Sequence, residues 1–382
     1  METKNEKKDN TVINNSDFIF LYEATMCNPN GDPDMENKPR MDYDTKTNLV
    51  SKYRKKRDIR NYAKENKKLI FVDTEDERKV SVEQRLETVF KAFLADENSQ
   101  EELQKVDIWK NCFDKLDNAE QGKSTVEIYE KLKKISVMKK TEVAKDEKLK
   151  FINDNFSKLN NELLTHIVKT KLYDIRLFGS AFAVGGFSRT FTGPVQLSWG
   201  YSLHPVELMK SNALVTIMND DNSTFGRDNN LYYSLIAYSG TISKTLADKT
   251  NLSEKDITFF REAIIKSTNA TPTASKTNLR PVAYLEVKYK KEFDGFMCDL
   301  RNFLKLDKEK SVDPIRNRSH VKINIEQLVD FLKIDQVKDK IEKIIVWESL
   351  TLKDDDKLFT DLSIKDNNEI ELVDRETLKV IV

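Results

Sequence analysis

The side chains with the clearest chemical spacing lie between positions 46 and 68, where ten Lys and Arg face only Asp58 and Glu65. Lys52, Lys56, Arg60 and Lys64 recur every four residues, and at about 100° per residue they fall with Arg57 in one arc of roughly 140° on a helix. A narrow apolar stripe of Ile59, Tyr62 and Ala63 runs beside them. Evenly spaced cations on one face suit a sugar-phosphate backbone, whose neutralisation releases counterions whatever the base sequence. A solvated Lys-rich face has the same pattern, so nucleic-acid contact and plain solubility are both open on this signal alone.

A second group is the set of acids Asp32, Asp34, Asp42 and Asp44 in the loop from Asn28 to Asp44. Gathered carboxylates could hold Mg²⁺ for a nuclease. They lack the calcium-loop spacing, since the twelfth position counted from Asp32 is Tyr43. Asn, Asp, Gly and Pro are also what tight turns require, so turn and cap roles are expected for these acids. His166, His204 and His320 are far apart and lack any HExxH or serine-elbow context, which argues against a triad or a metalloprotease. No GxGxxG or GxxxxGK[ST] phosphate loop occurs. The segment FGSAFAVGGFSRTFTGP reads as a strand pair that another backbone can approach closely. Its Phe187, Arg189 and Phe191 either stack on or reach an RNA strand, or they form the core of a glycine-bent sheet corner.

These groups need elements to position them. FIFLYEAT, Phe18 to Thr25, reads as a buried first strand. The basic segment predicts a helix from near Thr47 to about Lys64. Residues 73 to 165 contain no proline and the single glycine Gly122, with 21 Asp/Glu against 17 Lys/Arg, which predicts a charged helical insertion able to dock on a core but hardly to make one. NALVTIM and LYYSLIAYSGTI flank the polar NDDNSTFGRDNN as a long exposed hairpin. Ser253 and Asp256 form a capping box that opens a helix burying Ile257, Phe260 and Ile264. PVAYLEVKY follows as a strand, then a helix at IEQLVDFLK and a strand around IIVW. Residues 1–16 are polar and expected to be disordered.

The whole chain has 382 residues and a formal net charge of zero, so attraction to a polyanion has to come from local segregation, as at 46–68. No run approaches the roughly 18 apolar residues that span a bilayer, so no membrane association is expected. METKNEKKDN has no apolar stretch behind it and predicts no signal peptide, while three scattered cysteines without CxxC spacing suit a reducing cytoplasm.

Four blocks carry a family resemblance: YEATMCNPNGDPDMENKPRMD with LVSKYRKKRDIRNY; DIRLFGSAF with TGPVQLSWGYSLHPVEL; FGRDNNLYYSLIAYSG with SEKDITFFREAI; and RPVAYLEVKY. In this order they resemble the backbone subunit of the type I CRISPR complex Cascade, the Cas-seven family of the RAMP superfamily, most of all its subtype I-B, Csh-type branch. The resemblance implies an α+β fold: a ferredoxin-like, RNA-recognition-type palm with a helical finger insertion and a β-hairpin thumb. It divides the chain into a palm first half at 17–72, fingers at 73–168, a palm second half at 169–319 with the thumb at about 213–242, and a C-terminal extension at 320–382 packed on the palm. The implied role is non-catalytic and needs no cofactor or metal. Copies polymerise head to tail along a guide crRNA, and the guide then pairs with target DNA. Further partners are Cascade subunits of the Cas-five, Cas-six and Cas-eight types.

By matching motif, Ser51, Tyr53, Lys56, Arg57 and Arg60 would grip phosphates, with Arg40 and Lys52 beside them. Ser180 and Ala181 would lie beside a displaced base, with Phe187 and Arg189 following them, and Phe225 and Arg227 would stand at the thumb base. Lys55 stands where leucine is more usual, which puts the helix register in question, and the insertion is longer than the family core needs. Two alternatives stand beside this reading. One is a RAMP-type metal-dependent endoribonuclease in which Asp32 or Asp34 organises the metal; the other is a single-stranded RNA-binding module without a polymer.

Overall fold

FIFLYEAT is apolar on both of its faces, so the strand it forms needs cover on both sides and belongs inside a sheet. In the computed structural model it is the centre of one: the strand runs Ser16–Cys27, and residues 18–22 are at most 4% exposed. The structure describes residues 11–74, 78–184, 186–210, 213–214, 226–270, 272–308, 313–349, 369–373 and 380–381. They form two compact units, the contiguous segment Lys68–Gly193 and the residues on either side of it.

Numbered along the chain, the flanking residues contribute β1 (Ser16–Cys27), β2 (Thr47–Val50), α1 (Lys52–Glu65), β5 (Gly200–Ser202), β6 (Leu231–Ile242), α5 (Glu254–Ala270), β7 (Leu279–Tyr289), α6 (Glu326–Lys333), β8 (Ile341–Glu348) and β9 (Glu369–Val373). Lys68–Gly193 contributes α2 (Val82–Ala95), α3 (Thr125–Ser136), α4 (Glu147–Lys171), β3 (Gly179–Val184) and β4 (Phe187–Thr192), besides shorter helices.

The large sheet runs in the order β9, β8, β7, β1, β6, β5, β2, and all of these neighbours are antiparallel except β8 and β9. On one face of β1, Phe18 meets Phe260 of α5 edge-on at 5.6 Å and stacks on Tyr284 of β7 at 5.8 Å, while Tyr22 stacks on Tyr238 of β6 at 6.1 Å. On the other, Ile19 and Leu21 join a core with Leu235, Leu285, Leu300 and Leu328, the last from α6. The Ser253 and Asp256 box opens α5 as the sequence indicates, and Ile257, Phe260 and Ile264 are at most 1% exposed. Arg261 of α5 bonds Glu286 of β7 twice, at 2.7 and 2.9 Å, and Tyr284 donates to the same carboxylate at 2.8 Å. Burial pushes the Glu286 carboxyl up, but the Arg261 guanidinium outweighs it and holds it below the ordinary range.

Several expectations are corrected. The basic helix starts at Lys52 and not near Thr47, because Leu49 and Val50 pair with Tyr201 and Gly200 as β2. Residues 11–16 are not outside the fold: the Val12 N–H donates to the Leu252 carbonyl at 3.2 Å, and Asn14 Nδ2 to the Tyr289 carbonyl at 2.7 Å. LYYSLIAYSGTI is no leg of a projecting ribbon. As β6 it is buried at ten of its twelve positions and pairs with β1, and the partner of Ala213–Leu214 is Gly226–Arg227 instead. A run that apolar finds its free energy between other elements and not in water. The helical insertion makes a core of its own, with Trp109, Ile128, Leu132, Ile152, Leu159 and Leu163 wholly buried. That unit extends to Gly193 and so takes in β3 and β4, which the sequence reading assigned to the palm. No helix among the described residues is long and apolar enough to cross a membrane.

Lys55 explains its own oddity. It is 3% exposed, its ammonium lies 4.6 Å from the centre of the Phe20 ring, and it donates to Thr268 Oγ1 at 2.7 Å. It therefore packs where an aliphatic side chain would. Burial pushes its pKa down from 10.5 to about 7. Between those values the unfolded chain holds the proton and the folded chain has released it, so stability rises with pH across this window. Lys55→Leu is expected to stabilise the protein at pH 6, by an amount on the order of 2 kcal/mol, with the gain shrinking toward pH 10. Denaturant midpoints of the parent and the variant at the two pH values check this, and a gain independent of pH would contradict the buried-charge account.

Candidate nucleic-acid interface

The start of α1 is fixed from three sides. Ser51 is extended, and its Oγ accepts from the Arg54 N–H at 3.2 Å as an N-cap. Its own N–H donates to Asn30 Oδ1 at 2.8 Å, and its carbonyl accepts from the Tyr238 hydroxyl at 3.0 Å. From this fixed point Lys52, Lys56 and Arg60 rise in one column, a turn apart. Ile59, Tyr62 and Ala63 are buried on the core side, as the sequence indicates. Tyr53 is 70% exposed, with the Lys52 ammonium 5.5 Å from its ring centre, so a bare aromatic plate stands beside the column. Arg57 and Arg60 are half-buried, and Arg54 turns aside to pair with Asp58 at 2.6 Å.

Lys56 reports on the column's field. Burial first, and then the Arg60 and Lys52 cations, push its pKa down to about 8. The acid nearest in sequence, Asp58, is engaged by Arg54. An anion laid along the column would relieve this mutual repulsion, and phosphates spaced along a strand do so at several points at once.

Of the four loop acids, Asp32 and Asp42 take the turn roles expected of them. Asp32 accepts from the Asp34 N–H at 3.2 Å and pairs with Arg40 at 3.3 Å; Asp42 accepts from Thr45 Oγ1 at 2.8 Å and from the Asp44 N–H at 3.1 Å. Arg40 is thereby directed at Asp32, and its carbonyl accepts from the Leu49 N–H at 2.8 Å. Among the described residues no three His, Cys, Asp or Glu side chains converge as metal ligands would. His204 is a packed residue: its Nε2 accepts from the Leu235 N–H at 3.1 Å, and its ring stacks on Tyr233.

Ser180 and Ala181 lie on β3, whose hairpin with β4 is pinched at its base by two glycines. A Cβ on Gly179 would come within 2.1 Å of the Phe191 carbonyl oxygen, and one on Gly193 within 2.1 Å of the Phe178 carbonyl carbon. Ala181, Ser188 and Thr190 are exposed on one face. The other face corrects the sequence reading. Phe187 is 1% exposed and packs 5.6 Å from Phe182, and Arg189 is tied to Glu162 of α4 at 3.0 Å. The glycine-bent corner with core phenylalanines is thus the arrangement found, because Phe182, Phe187 and Phe191 are needed to close the helical unit's core.

Arg40, Ser51, Lys52, Tyr53, Lys56, Arg57 and Arg60 gather around the first half of α1, and Arg227 reaches the same loop by pairing with Glu36 at 2.7 Å. Phe225 lies outside the described residues. Asn30 and Glu36 were missed by sequence reasoning. Asn30 lies in the NPNGDP stretch of the first family block, which gave it no role, and Glu36 falls at a variable position of the same block. Phe187→Ala is expected to lower the unfolding midpoint of the helical unit, a loss of about 3–5 kcal/mol for a buried phenylalanine, without changing polyanion affinity. Calorimetry beside a binding titration measures both, and a stable variant with weakened binding would restore Phe187 to the interface.

The sequence matches the family described as CRISPR-associated protein Cas7 over residues 14–326. A curated relative from Haloferax volcanii, named CRISPR-associated protein Cas7, is 24% identical over 343 residues, which cover 88% of this chain and 87% of that protein. Two solved chains from structures described as a CRISPR RNA-guided surveillance complex, one of them pre-nicking, give TM-scores of 0.47 and 0.45 at 14% and 11% identity. They cover 87% and 91% of this chain, and 92% of each matched chain is covered in turn. Since the family match spans most of the sequence, from Asn14 to Glu326, this chain belongs to the CRISPR-associated protein Cas7 family.

Proposed function

We propose that the chain is the guide-RNA-binding backbone subunit of a type I Cascade complex, of subtype I-B, and that copies of it assemble head to tail along the crRNA. The observation that carries this is the column Lys52, Lys56 and Arg60 beside exposed Tyr53, held by the Ser51 cap in a chain of the Cas7 family. Cations in a column contact backbone and not bases, which leaves the bases of the guide free to pair with target DNA. The chain order β1, α1, β5, β6, α5, β7, with sheet order β7, β1, β6, β5, supports a ferredoxin-like palm. Gly226–Arg227 paired with Ala213–Leu214 is then the base of the thumb, and Lys68–Gly193 the fingers. Head-to-tail contacts use different surfaces on the two copies and need not close, so RNA length sets the number of copies. Subunits of the Cas-five, Cas-six and Cas-eight types would complete the complex. The three free cysteines support a cytoplasmic location.

Reversing Lys56 and Arg60 to Glu is expected to weaken binding to RNAs of unrelated sequence about equally. Loss of two phosphate contacts should flatten the slope of log affinity against log salt by roughly 1.4. Titration of single-stranded RNA at several salt concentrations tests this, and parental affinity at moderate salt would overturn the assignment.

The chain is proposed to have no nuclease activity of its own, since Asp32 and Asp42 are committed to turns and Asp32 to Arg40 as well. Incubation with guide and complementary RNA in Mg²⁺ or Mn²⁺ should leave both intact. Cleavage abolished by Asp32→Ala or Asp34→Ala would install the ribonuclease reading instead.

A further inference from the structure

Six described non-glycine residues have left-handed backbone, and four of them, Met26, Glu36, Asn37 and Lys46, lie in or beside the stretch that joins β1 to β2. Such backbone persists where surrounding contacts over-determine it, and its concentration in one stretch points to a task. The contacts show what the stretch holds. At its start the Asn28 N–H donates to the Ser275 carbonyl at 2.8 Å, and Asn28 Nδ2 reaches across the turn to the Asn37 carbonyl at 2.8 Å. Gly31 lies under that turn, where a Cβ would come within 1.8 Å of Asn37 Oδ1. Asn30 holds the first residue of the α1 cap through the Ser51 N–H. At its far end the Lys46 carbonyl accepts from the Val206 N–H at 2.8 Å, on the segment that leads toward Ala213–Leu214.

Between these points stands Glu36, in left-handed backbone at φ 53°. Its carbonyl accepts from Asn229 Nδ2 at 2.8 Å, and its carboxylate pairs with Arg227 at 2.7 Å. Arg227 is itself paired in register with Ala213, so this one residue holds the returning leg of the hairpin at two points. Asn229 is 8% exposed, so the donor side of this bond is buried.

We infer that the stretch from Met26 to Lys46 is a brace and that Glu36 is its positioning residue, fixing the thumb base relative to the phosphate-gripping end of α1. The inference rests on the assembly reading above for its consequence: the brace sets the angle at which one copy meets the next on the guide. Glu36 touches no phosphate in this scheme and acts through Arg227 and Asn229. The brace itself is a property of the free chain and is measurable without RNA.

Two measurements on the full chain test it, with Glu36→Lys as the variant and Glu36→Gln, which keeps an acceptor oxygen, as the conservative control. In the RNA-free protein, amide exchange at 213–214 and 226–227 is expected to accelerate about tenfold in Glu36→Lys and less in Glu36→Gln, while β1 keeps its protection. Exposed ion pairs contribute little to global stability, so the unfolding midpoint should not move. On single-stranded RNAs of about 10 and about 60 nucleotides, affinity for the short RNA should stay within about twofold while cooperative loading on the long RNA falls about tenfold. Lysine adds positive charge, so a generic electrostatic effect would tighten RNA binding, the opposite of the expected loss. Unchanged exchange at the hairpin base overturns the brace, and parental cooperativity in Glu36→Lys, where the parent loads several copies, overturns its role in setting the angle between copies. Accelerated exchange in the variant, with a parent that loads only one copy on the long RNA, upholds the brace and overturns the assembly reading.

Discussion

The constraint on which the remaining structure depends is that β1 has no polar face from Phe18 to Tyr22. Both sides must be covered, one by α1 and α5 and the other by the layer that includes α6. Once α1 is committed to that cover, its Ile59 and Ala63 stripe faces the sheet and its remaining arc must face out. Lys52 and Arg60 lie half-buried on that arc, with Lys56 sunk between them at 9% exposure. The basic face is thus a by-product of the apolar one, and both follow from the same fourteen residues.

Neighbouring lysines on α1 show how much environment decides. Lys55 and Lys56 both have depressed pKa values, Lys55 by burial among Phe20, Thr268 and Ser267, and Lys56 by burial together with the Arg60 and Lys52 cations. Lys56 sits at 9% exposure between Lys52 and Arg60, whereas Lys55, at 3%, faces Phe20 and the core. Sequence position separates them by one residue, and helix geometry by about 100°.

Local signals were readable in the sequence because they depend on local physics. The buried first strand, the Ser253 and Asp256 box and the Ile59, Tyr62 and Ala63 stripe need only periodicity and capping chemistry. The basic column was legible for the same reason. The failures share a different cause, which is that the answer lay in a distant partner. LYYSLIAYSGTI has the composition of a strand in any setting, and only pairing with β1 makes it central. Phe187 looked equally suited to a base or to a core until Phe182 and the helices of its unit were in place. The insertion's apolar residues looked sparse when counted along the chain, yet Trp109, Leu132, Leu159 and Leu163 meet at one centre. Glu36 carries no pattern at all, since its importance comes from Arg227 and Asn229, nearly two hundred positions away.

The register of β1 has a consequence in time. Phe20 is paired with Tyr238 on one side and with Tyr284 on the other, so the strand leaves the ribosome more than two hundred residues before either neighbour exists. At usual elongation rates that interval is on the order of ten to forty seconds. Throughout it an aromatic strand with two unpaired edges is in search of hydrogen bonds, while Lys68–Gly193, contiguous and rich in local helical contacts, is synthesised in full. The nascent chain thus carries a finished helical body and an unsatisfied strand together, and an organism making many copies at once must keep those strands from finding one another first.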